Sequence, residues 1–271
     1  MEQARWGWRA CLAAGLIAAT APPAFALSVS PPVVELRASA GSRLHGAFVV
    51  TNDTEEPSTV TVETEVLSRT GYVQRDPNEW LTVTPSLLEL APGEVGEVTY
   101  DVSVPEDARG ELAAVVVFVQ NLAPQAGGVQ MRFGMSVYVS VSGTEELEVR
   151  VDSMALRLSE HSAQAWLRIA NHGNVHCRPE GSVLVNDPSG RTLGQGQLVR
   201  GAPVHPGQQG TFVVSLPDGL RLAQGTYQLV ADLTCYAASQ VPSRLHVRQV
   251  GDIQESGQWA STDPPAVIPD H

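Results

Sequence analysis

Apolar and polar residues alternate along much of this chain, and the longest alternation runs from Val129 to Ser142. Val, Met and Phe occupy the odd-numbered positions of this segment, whereas Gln, Arg, Gly, Ser and Tyr occupy the even-numbered ones. Side chains alternate between the two faces of a β-strand, so the pattern predicts a strand with one apolar face. Typical strands have about five or six residues. The extra length must therefore be covered by strands of the same domain or by another polypeptide.

Shorter runs of the same kind lie on both sides of this strand, with turn residues between them. No segment shows a convincing apolar period of 3.6 residues, so we expect an all-β protein. Turns recur about every eight to twelve residues, which favours antiparallel immunoglobulin-like sandwiches over a fold of alternating strands and helices.

The order of these features occurs twice. Ala47–Asn52 corresponds to Trp166–Asn171, and the Pro-Gly turn of Leu90–Gly96 corresponds to that of Val204–Gly210. The offset of about 115 residues is close to the length of one immunoglobulin-like domain. We therefore predict two tandem β-sandwiches, over residues 27–143 and 147–250. Residues 251–271 show no periodicity and are predicted to form a disordered tail.

The first 26 residues have the features of a signal peptide. Arg5 and Arg9 precede an apolar stretch from Cys11 to Ala21, and a small-x-small cleavage site ends at Ala26. The apolar stretch has about eleven residues, whereas a membrane span needs about twenty. We expect export, cleavage after Ala26 and no membrane insertion.

Charge and missing motifs exclude several classes of function. The 17 basic residues are all Arg, and the formal net charge is −12, which argues against nucleic acid as a partner. Without Lys there is no Schiff base and no phosphate-loop lysine. The chain also lacks the sequence motifs of common hydrolases and metalloproteases. We therefore predict neither an enzyme nor a bound cofactor.

Two cysteines remain after cleavage, Cys177 and Cys235. Disulfides persist in exported proteins, and a bridge closing a loop of about sixty residues would contribute about 4 kcal/mol in the chain-entropy model. We expect this disulfide. The alternatives are two buried free thiols, or a metal site in which His172 and His176 join Cys177.

Several short motifs of the first half follow one another in a recognisable order. They are Ser28–Leu36, Gly41, Phe48–Asn52, Trp80 ahead of Pro85, the turn Leu90–Gly93, and Pro105–Asp107 before an apolar strand. With the alternating strand that follows, residues 27–143 resemble the PapD-like periplasmic chaperones of the chaperone/usher pilus pathway. A second sandwich follows in that family as well.

The resemblance implies a binding function. In that family the seventh strand lends alternating apolar side chains to a pilin subunit that lacks a strand. By position, the donors in this chain are Val129, Met131, Phe133, Met135 and Val137. The resemblance also implies a periplasmic location, an exported pilin-like subunit as partner, and an outer-membrane usher as a second partner.

The chain departs from the family at the site that holds the subunit's terminal carboxylate. Family members use an Arg on the first strand and a Lys on the seventh. Here Leu36 lies near the first position, and Ser136 or Tyr138 lies at the second. Arg37 and Arg132 are therefore the candidates for an altered carboxylate anchor.

Two functions are consistent with the sequence. The first is a periplasmic chaperone-like protein that binds exported subunits by β-strand addition, without bond-making chemistry. The second is a structural or adhesive protein of the cell envelope that uses the sandwiches as spacers or binding modules.

Overall fold

The structure is a computed structural model that describes residues 27–67, 75–121, 130–159, 162–237 and 242–268. The predicted signal peptide and Val129 lie outside these ranges. The described residues are all-β, with one turn of 3-10 helix at Pro77–Glu79 as the sole helical segment among them. Within the same ranges, no helix has the length and hydrophobicity needed to cross a membrane.

The first sandwich consists of two facing sheets. Its described strands are β1 (Leu27–Ser30), β2 (Val33–Ala38), β3 (Arg43–Asn52), β4 (Ser58–Val66), β5 (Leu81–Thr84), β6 (Leu87–Leu90), β7 (Val95–Ser103), β8 (Glu111–Asn121) and β9 (Gln130–Val141). One sheet has the order β1-β3-β7-β5 and the other β2-β9-β8-β4-β6. The described strand pairs are antiparallel except for β2 and β9. Alternate side chains meet between the sheets, where Phe48, Trp80 and Phe118 are buried.

The second sandwich repeats this two-sheet plan. Its described strands are β10 (Val149–Leu158), β11 (Ala163–Asn171), β12 (Arg178–Asn186), β13 (Thr192–Leu198), β14 (Gln209–Ser215), β15 (Gly225–Tyr236), β16 (Ser243–Ile253), β17 (Trp259–Ser261) and β18 (Ala266–Val267). One sheet has the order β10-β11-β14. The other has the order β13-β12-β15-β16-β17, and β18 also pairs with β16.

A buried asparagine holds the same turn in both sandwiches. The Asn52 amide donates to the carbonyls of Glu56, Leu90 and Ala91 at 2.9, 3.1 and 3.1 Å. The Asn171 amide donates to the equivalent carbonyl of Val204 at 2.8 Å. The repeated sequence motif is therefore a repeated clamp between the end of one strand and a distant turn.

The Pro-Gly turns that these asparagines hold need glycine for a conformational reason. Gly93 and Gly207 have φ values of 72° and 71°, in the left-handed region. Their N–H groups donate to the backbone carbonyls of Asn52 and Asn171 at 2.8 Å in both cases. Each turn is thus bonded to its asparagine through both the backbone and the side chain.

The prediction of a disordered tail from residue 251 is wrong for the residues that the structure describes. β16 continues to Ile253, and β17 and β18 return along its edge in antiparallel pairing. The buried Gln249 amide donates to Ser261 Oγ and to the carbonyl of Asp263. The Trp259 side chain packs against the core of the second sandwich. These contacts order a segment that has no periodicity of its own.

The structure does not contain the expected disulfide: Cys177 and Cys235 are both free and buried. Cys235 lies opposite Pro179, so Cys177 is its diagonal neighbour across the strand pair. Diagonal neighbours are about 7–8 Å apart, beyond the usual Cα separation of a disulfide. The neighbouring Cys235 thiol, and after it burial, raises the pKa of the Cys177 thiol. The alternative of two buried thiols is the one that the structure shows.

Candidate functional site

The two halves of the long strand β9 have different surroundings. Along one edge, β9 pairs with β8 from Gln130 to Ser140. Along the other edge, β2 pairs with β9 only from Ser136 to Val141. No strand in the described ranges pairs with residues 130–135 on this second side. The first half of β9 is therefore an open edge, which we define as the side of residues 131–135 that faces away from β8.

Hydrogen bonds within the second half show which backbone groups point to this side. The N–H groups of Ser136 and Ser142 donate to carbonyls of residues 32 and 38, at the ends of β2, whereas that of Val141 donates to Gly110. Backbone direction alternates along a strand, so even-numbered residues point toward the β2 side and odd-numbered residues toward β8. Arg132 and Gly134 accordingly direct their N–H and C=O groups to the open edge.

The sequence before β2 explains why the edge stays open. Pro31 and Pro32 have no backbone N–H and cannot donate to a ladder. The segment ahead of them, β1, pairs with β3 in the opposite sheet. Two prolines thus mark the point where the chain moves from one sheet to the other, and the cover over β9 begins only after them.

The structure divides the predicted donor residues into two groups. Met131 and Phe133 lie on the open half and are half-buried. Met135 is 8% exposed and Val137 0%, and both belong to the core of the first sandwich. Met135 and Val137 are therefore less accessible than Met131 and Phe133, and their donor role stays a prediction. Val129 lies outside the described residues.

The two candidates for a carboxylate anchor are not brought together. Arg37 lies opposite Ser140, eight positions from Arg132 along β9, which is about 25 Å in an extended strand. Each already has an acidic partner: Arg37 contacts Glu145 at 2.7 Å and Arg132 contacts Glu65 at 2.5 Å. An anchor at either position would have to replace an existing ion pair.

The outer face of the second half of β9 is covered by the second sandwich. Tyr138 packs on His176 with ring centroids 4.0 Å apart, and its hydroxyl is 3.0 Å from Nε2 of His205. Glu111, the neighbour of Ser140 on β8, has a side chain that is 0% exposed. β2 and the second sandwich therefore cover the second half of β9.

A chain of charged groups crosses this interface between the sandwiches. His176 lies between two carboxylates, with Nδ1 at 2.5 Å from Glu111 and Nε2 at 3.5 Å from Glu35. Arg178 and Arg200 contact the oxygens of Glu35 at 3.0 and 3.3 Å. Buried charges are stable in proteins when they are paired in this way.

The network changes the acidity of its members. The hydrogen bond from His176 is the largest contribution that lowers the pKa of Glu35, and with Arg178 it outweighs desolvation and brings the pKa to about 2. Burial alone would lower the pKa of His176, but the bonds to Glu111 and Glu35 outweigh it and raise the pKa to about 9. Both groups are therefore charged at neutral pH.

His176 was part of the alternative metal site with His172 and Cys177, whereas in the structure it belongs to this network. No cluster of three or more potential metal ligands occurs in the parts of the chain that the structure describes. The sequence did not point to Glu35 or Glu111 as members of a site. The one signal in the sequence was Glu111 at the start of a strand that is otherwise apolar up to Val119.

Comparison with known proteins finds likenesses among solved structures. No family model matches the chain. No curated protein matches it either. The class 5 fimbriae chaperone CfaA is 13% identical, with a TM-score of 0.45, over 82% of this chain and 98% of that one. The structure of Salmonella enterica SafA pilin in complex with the SafB chaperone gives 11% identity and a TM-score of 0.41, over 92% and 99%. A PapD-like domain of human CEP192 gives 11% and 0.37, over 49% and 96%.

Proposed function

We propose that this chain is a periplasmic chaperone-like protein that binds a strand of an exported, pilin-like subunit along the open edge of β9. The observation that carries the proposal is the combination of outward-pointing backbone groups at Arg132 and Gly134 with half-buried apolar side chains at Met131 and Phe133. An exposed strand edge with alternating apolar side chains is the surface that strand addition requires. The same proposal includes an outer-membrane usher as a second partner of this chain.

The open edge offers two kinds of binding energy. The N–H and C=O groups of Arg132 and Gly134 can form up to four backbone hydrogen bonds, each contributing about 1 kcal/mol. Completing the burial of Met131 and Phe133 contributes a few kcal/mol more, at about 25 cal/mol per Å² of apolar surface. Met131 is unbranched and adapts to varied partners. Backbone and side-chain contributions are comparable, so each needs its own test.

The backbone contribution is tested by Gly134→Pro, with Gly134→Ala as the matched control. Proline removes the N–H that points to the open edge and leaves the hydrogen bonds to β8 in place. An added Cβ at Gly134 meets only Val115 Cγ1, at 3.0 Å. Capture of a subunit from periplasmic extract should fall about fivefold for the proline variant, the equivalent of one hydrogen bond of about 1 kcal/mol, and stay near wild type for the alanine variant. Equal capture by both variants contradicts backbone pairing.

The side-chain contribution is tested by the double variant Met131→Asp and Phe133→Asp. The control is Val49→Asp with Val95→Asp, which changes two exposed valines on the opposite sheet of the same sandwich. Loss of capture in the first variant alone supports the donor role. If the same subunit is captured equally by both double variants, the donor role is wrong.

The same experiment separates chaperone-like binding from the structural or adhesive alternative. A spacer module does not depend on an open edge, so neither Gly134→Pro nor the aspartate variants would alter its contacts. The carboxylate anchor stays a prediction. Replacement of Arg132 by Ala should lower capture if Arg132 leaves Glu65 to bind a terminal carboxylate.

Export is part of the proposal. Leu27, the residue after the predicted cleavage site, opens β1 and is buried against the first sandwich. We expect the protein recovered from the periplasm to begin at Leu27, which N-terminal sequencing would establish.

A further inference from the structure

We infer that Glu35 is a positioning residue: held by Arg178, Arg200 and His176 of the second sandwich, it fixes β2 against β9 and so sets where the open edge ends. The relevance of this clamp to subunit binding rests on the proposed function. The clamp itself can be tested on the isolated protein.

Few other contacts hold the strand β2 in place. It has six residues, and β9 is its sole strand neighbour among the described residues. The pairing is parallel, which is slightly less stable per residue than antiparallel pairing. Its core-facing side chains are the buried Val34 and Ala38 and the partly buried Leu36. Two prolines precede it, so no ladder continues into it from β1.

The outward side chains of β2 supply the missing attachment. Glu35 points away from the core of its own sandwich and receives Arg178 Nε at 3.0 Å and Arg200 Nη2 at 3.3 Å. Arg37, the next outward residue, bonds Glu145 in the segment between the sandwiches at 2.7 Å. Both charged side chains of β2 are thus bonded to residues beyond the first sandwich.

Two of the three partners of Glu35 are shielded from water, whereas the third, Arg200, has a side chain that is 60% exposed. The side chains of Glu35 and Arg178 are 25% and 14% exposed, and that of His176 is 1% exposed. Water therefore replaces these bonds poorly, and removing the carboxylate leaves His176 and Arg178 with fewer partners in a partly dry interface. Loss of the Glu35 carboxylate therefore weakens the attachment of β2 to the second sandwich.

Release of β2 would lengthen the open edge. The even-numbered residues of β9 point toward β2, so Ser136, Tyr138 and Ser140 would join Arg132 and Gly134 in offering unpaired backbone groups. The odd-numbered residues would remain bonded to β8. The second sandwich thereby determines how much of β9 a guest strand can use.

Residue-resolved amide hydrogen exchange, measured by NMR on the purified full chain, tests this clamp. In Glu35→Gln, the amides of Ser136, Tyr138 and Ser140 should exchange at least about tenfold faster than in wild type, whereas Val137 and Val139 should not change. Glu35→Asp, which keeps the carboxylate, should restore part of the protection. Glu65→Gln is the control, because it breaks an ion pair of the same sheet that does not involve β2.

A second variant keeps the test decisive if Glu35→Gln also weakens β2 directly. Arg178→Gln changes a residue of the second sandwich that lies across the interface. It should produce the same even-numbered pattern on β9. Unchanged exchange at the even-numbered amides in both variants, or equal acceleration at even and odd positions, would overturn the inference. The isolated protein is used throughout, so failure here is distinct from failure to capture a subunit.

Discussion

His176 is a buried ionisable residue whose ring lies between Glu111 and Glu35. We predict that it titrates with a pKa of about 9. The pKa exceeds its ordinary value of 6.5, so the stabilisation from the charged ring is fully present below pH 6.5 and is lost as the pH rises through about 9. NMR titration of the ring protons measures this directly, with the His176→Gln spectrum for assignment. Titration near 6.5 would contradict the network.

At low pH, the stability of the interface between the sandwiches depends on the charge of Glu35. Its pKa is lowered from 4.5 to about 2, so its contribution is fully present above pH 4.5 and is lost as the pH falls through about 2. The interface is therefore charged and intact between about pH 4.5 and 6.5, and it persists through neutral pH.

Asn52 is the residue for which we predict the largest cost of a single polar substitution in the first sandwich. Asn52→Ala removes three amide bonds and leaves the buried carbonyl of Leu90 without this donor. We expect the free energy of unfolding to fall by about 3 kcal/mol, measured by urea denaturation followed by circular dichroism. Asn78→Ala, at an exposed position, should cost less than about 1 kcal/mol. Similar losses for both variants would show that Asn52 is not a clamp.

At the scale of the element, alternation predicted β9 almost to the residue. The pattern ran from Val129 to Ser142, and the described strand is Gln130–Val141. Alternation succeeds because one face of each strand is buried in its own sandwich, which fixes the side-chain pattern locally. It could not show that β2 covers only half of the strand, because edge pairing depends on backbone contacts that leave no mark on side-chain polarity.

The C-terminal segment shows the limit of the same reasoning. β17 and β18 have three and two residues, too few to display a period. These two strands are ordered by pairing with the edge of β16 and by the hydrogen bonds of the Gln249 amide. Both of these partners lie outside the short strands themselves. Local sequence cannot reveal a strand whose pairing is supplied by another element.

We predict that a chain ending at Ile253 loses stability and self-associates. The truncation uncovers the edge of β16, leaves the buried Gln249 amide without Ser261 and Asp263, and removes the packing of Trp259. The free energy of unfolding should fall by about 2–4 kcal/mol, and light scattering should detect dimers. A chain ending at Ile268 is the control. A truncated protein that stays monomeric and as stable as this control would refute the role of the segment.

At the scale of the whole molecule, the two sandwiches differ in how their last strands are covered. The edge of β16 carries β17 and β18, whereas the first half of β9 pairs with β8 on one side and with no described strand on the other. The segment between the sandwiches is bonded from both sides: Gly110 donates to Thr144 Oγ1 at 2.8 Å, and Asn174 donates to the Thr144 carbonyl at 2.9 Å. Among the described residues, the first half of β9 is thus open on the side away from β8, on a scaffold whose two parts are bonded together.

The sequence predicted two sandwiches and the strand that carries the site, but not the contact between the sandwiches. Glu111 and His176 are 65 positions apart, and each looks like an ordinary polar residue at a strand end. Their pairing depends on the relative placement of two domains, which no local period encodes. Alternation also does not distinguish a side chain buried in its own core, as Met135 and Val137 are, from one available to a partner.

The open edge of β9 is tested most directly by amide exchange of the protein with and without its captured subunit. Binding by strand addition predicts that the amides of Arg132 and Gly134 become protected by at least about tenfold. The amides of Phe133 and Met135, which already point to β8, should change little. Protection confined to other surfaces, with Arg132 and Gly134 unchanged in the complex, would contradict the proposed function.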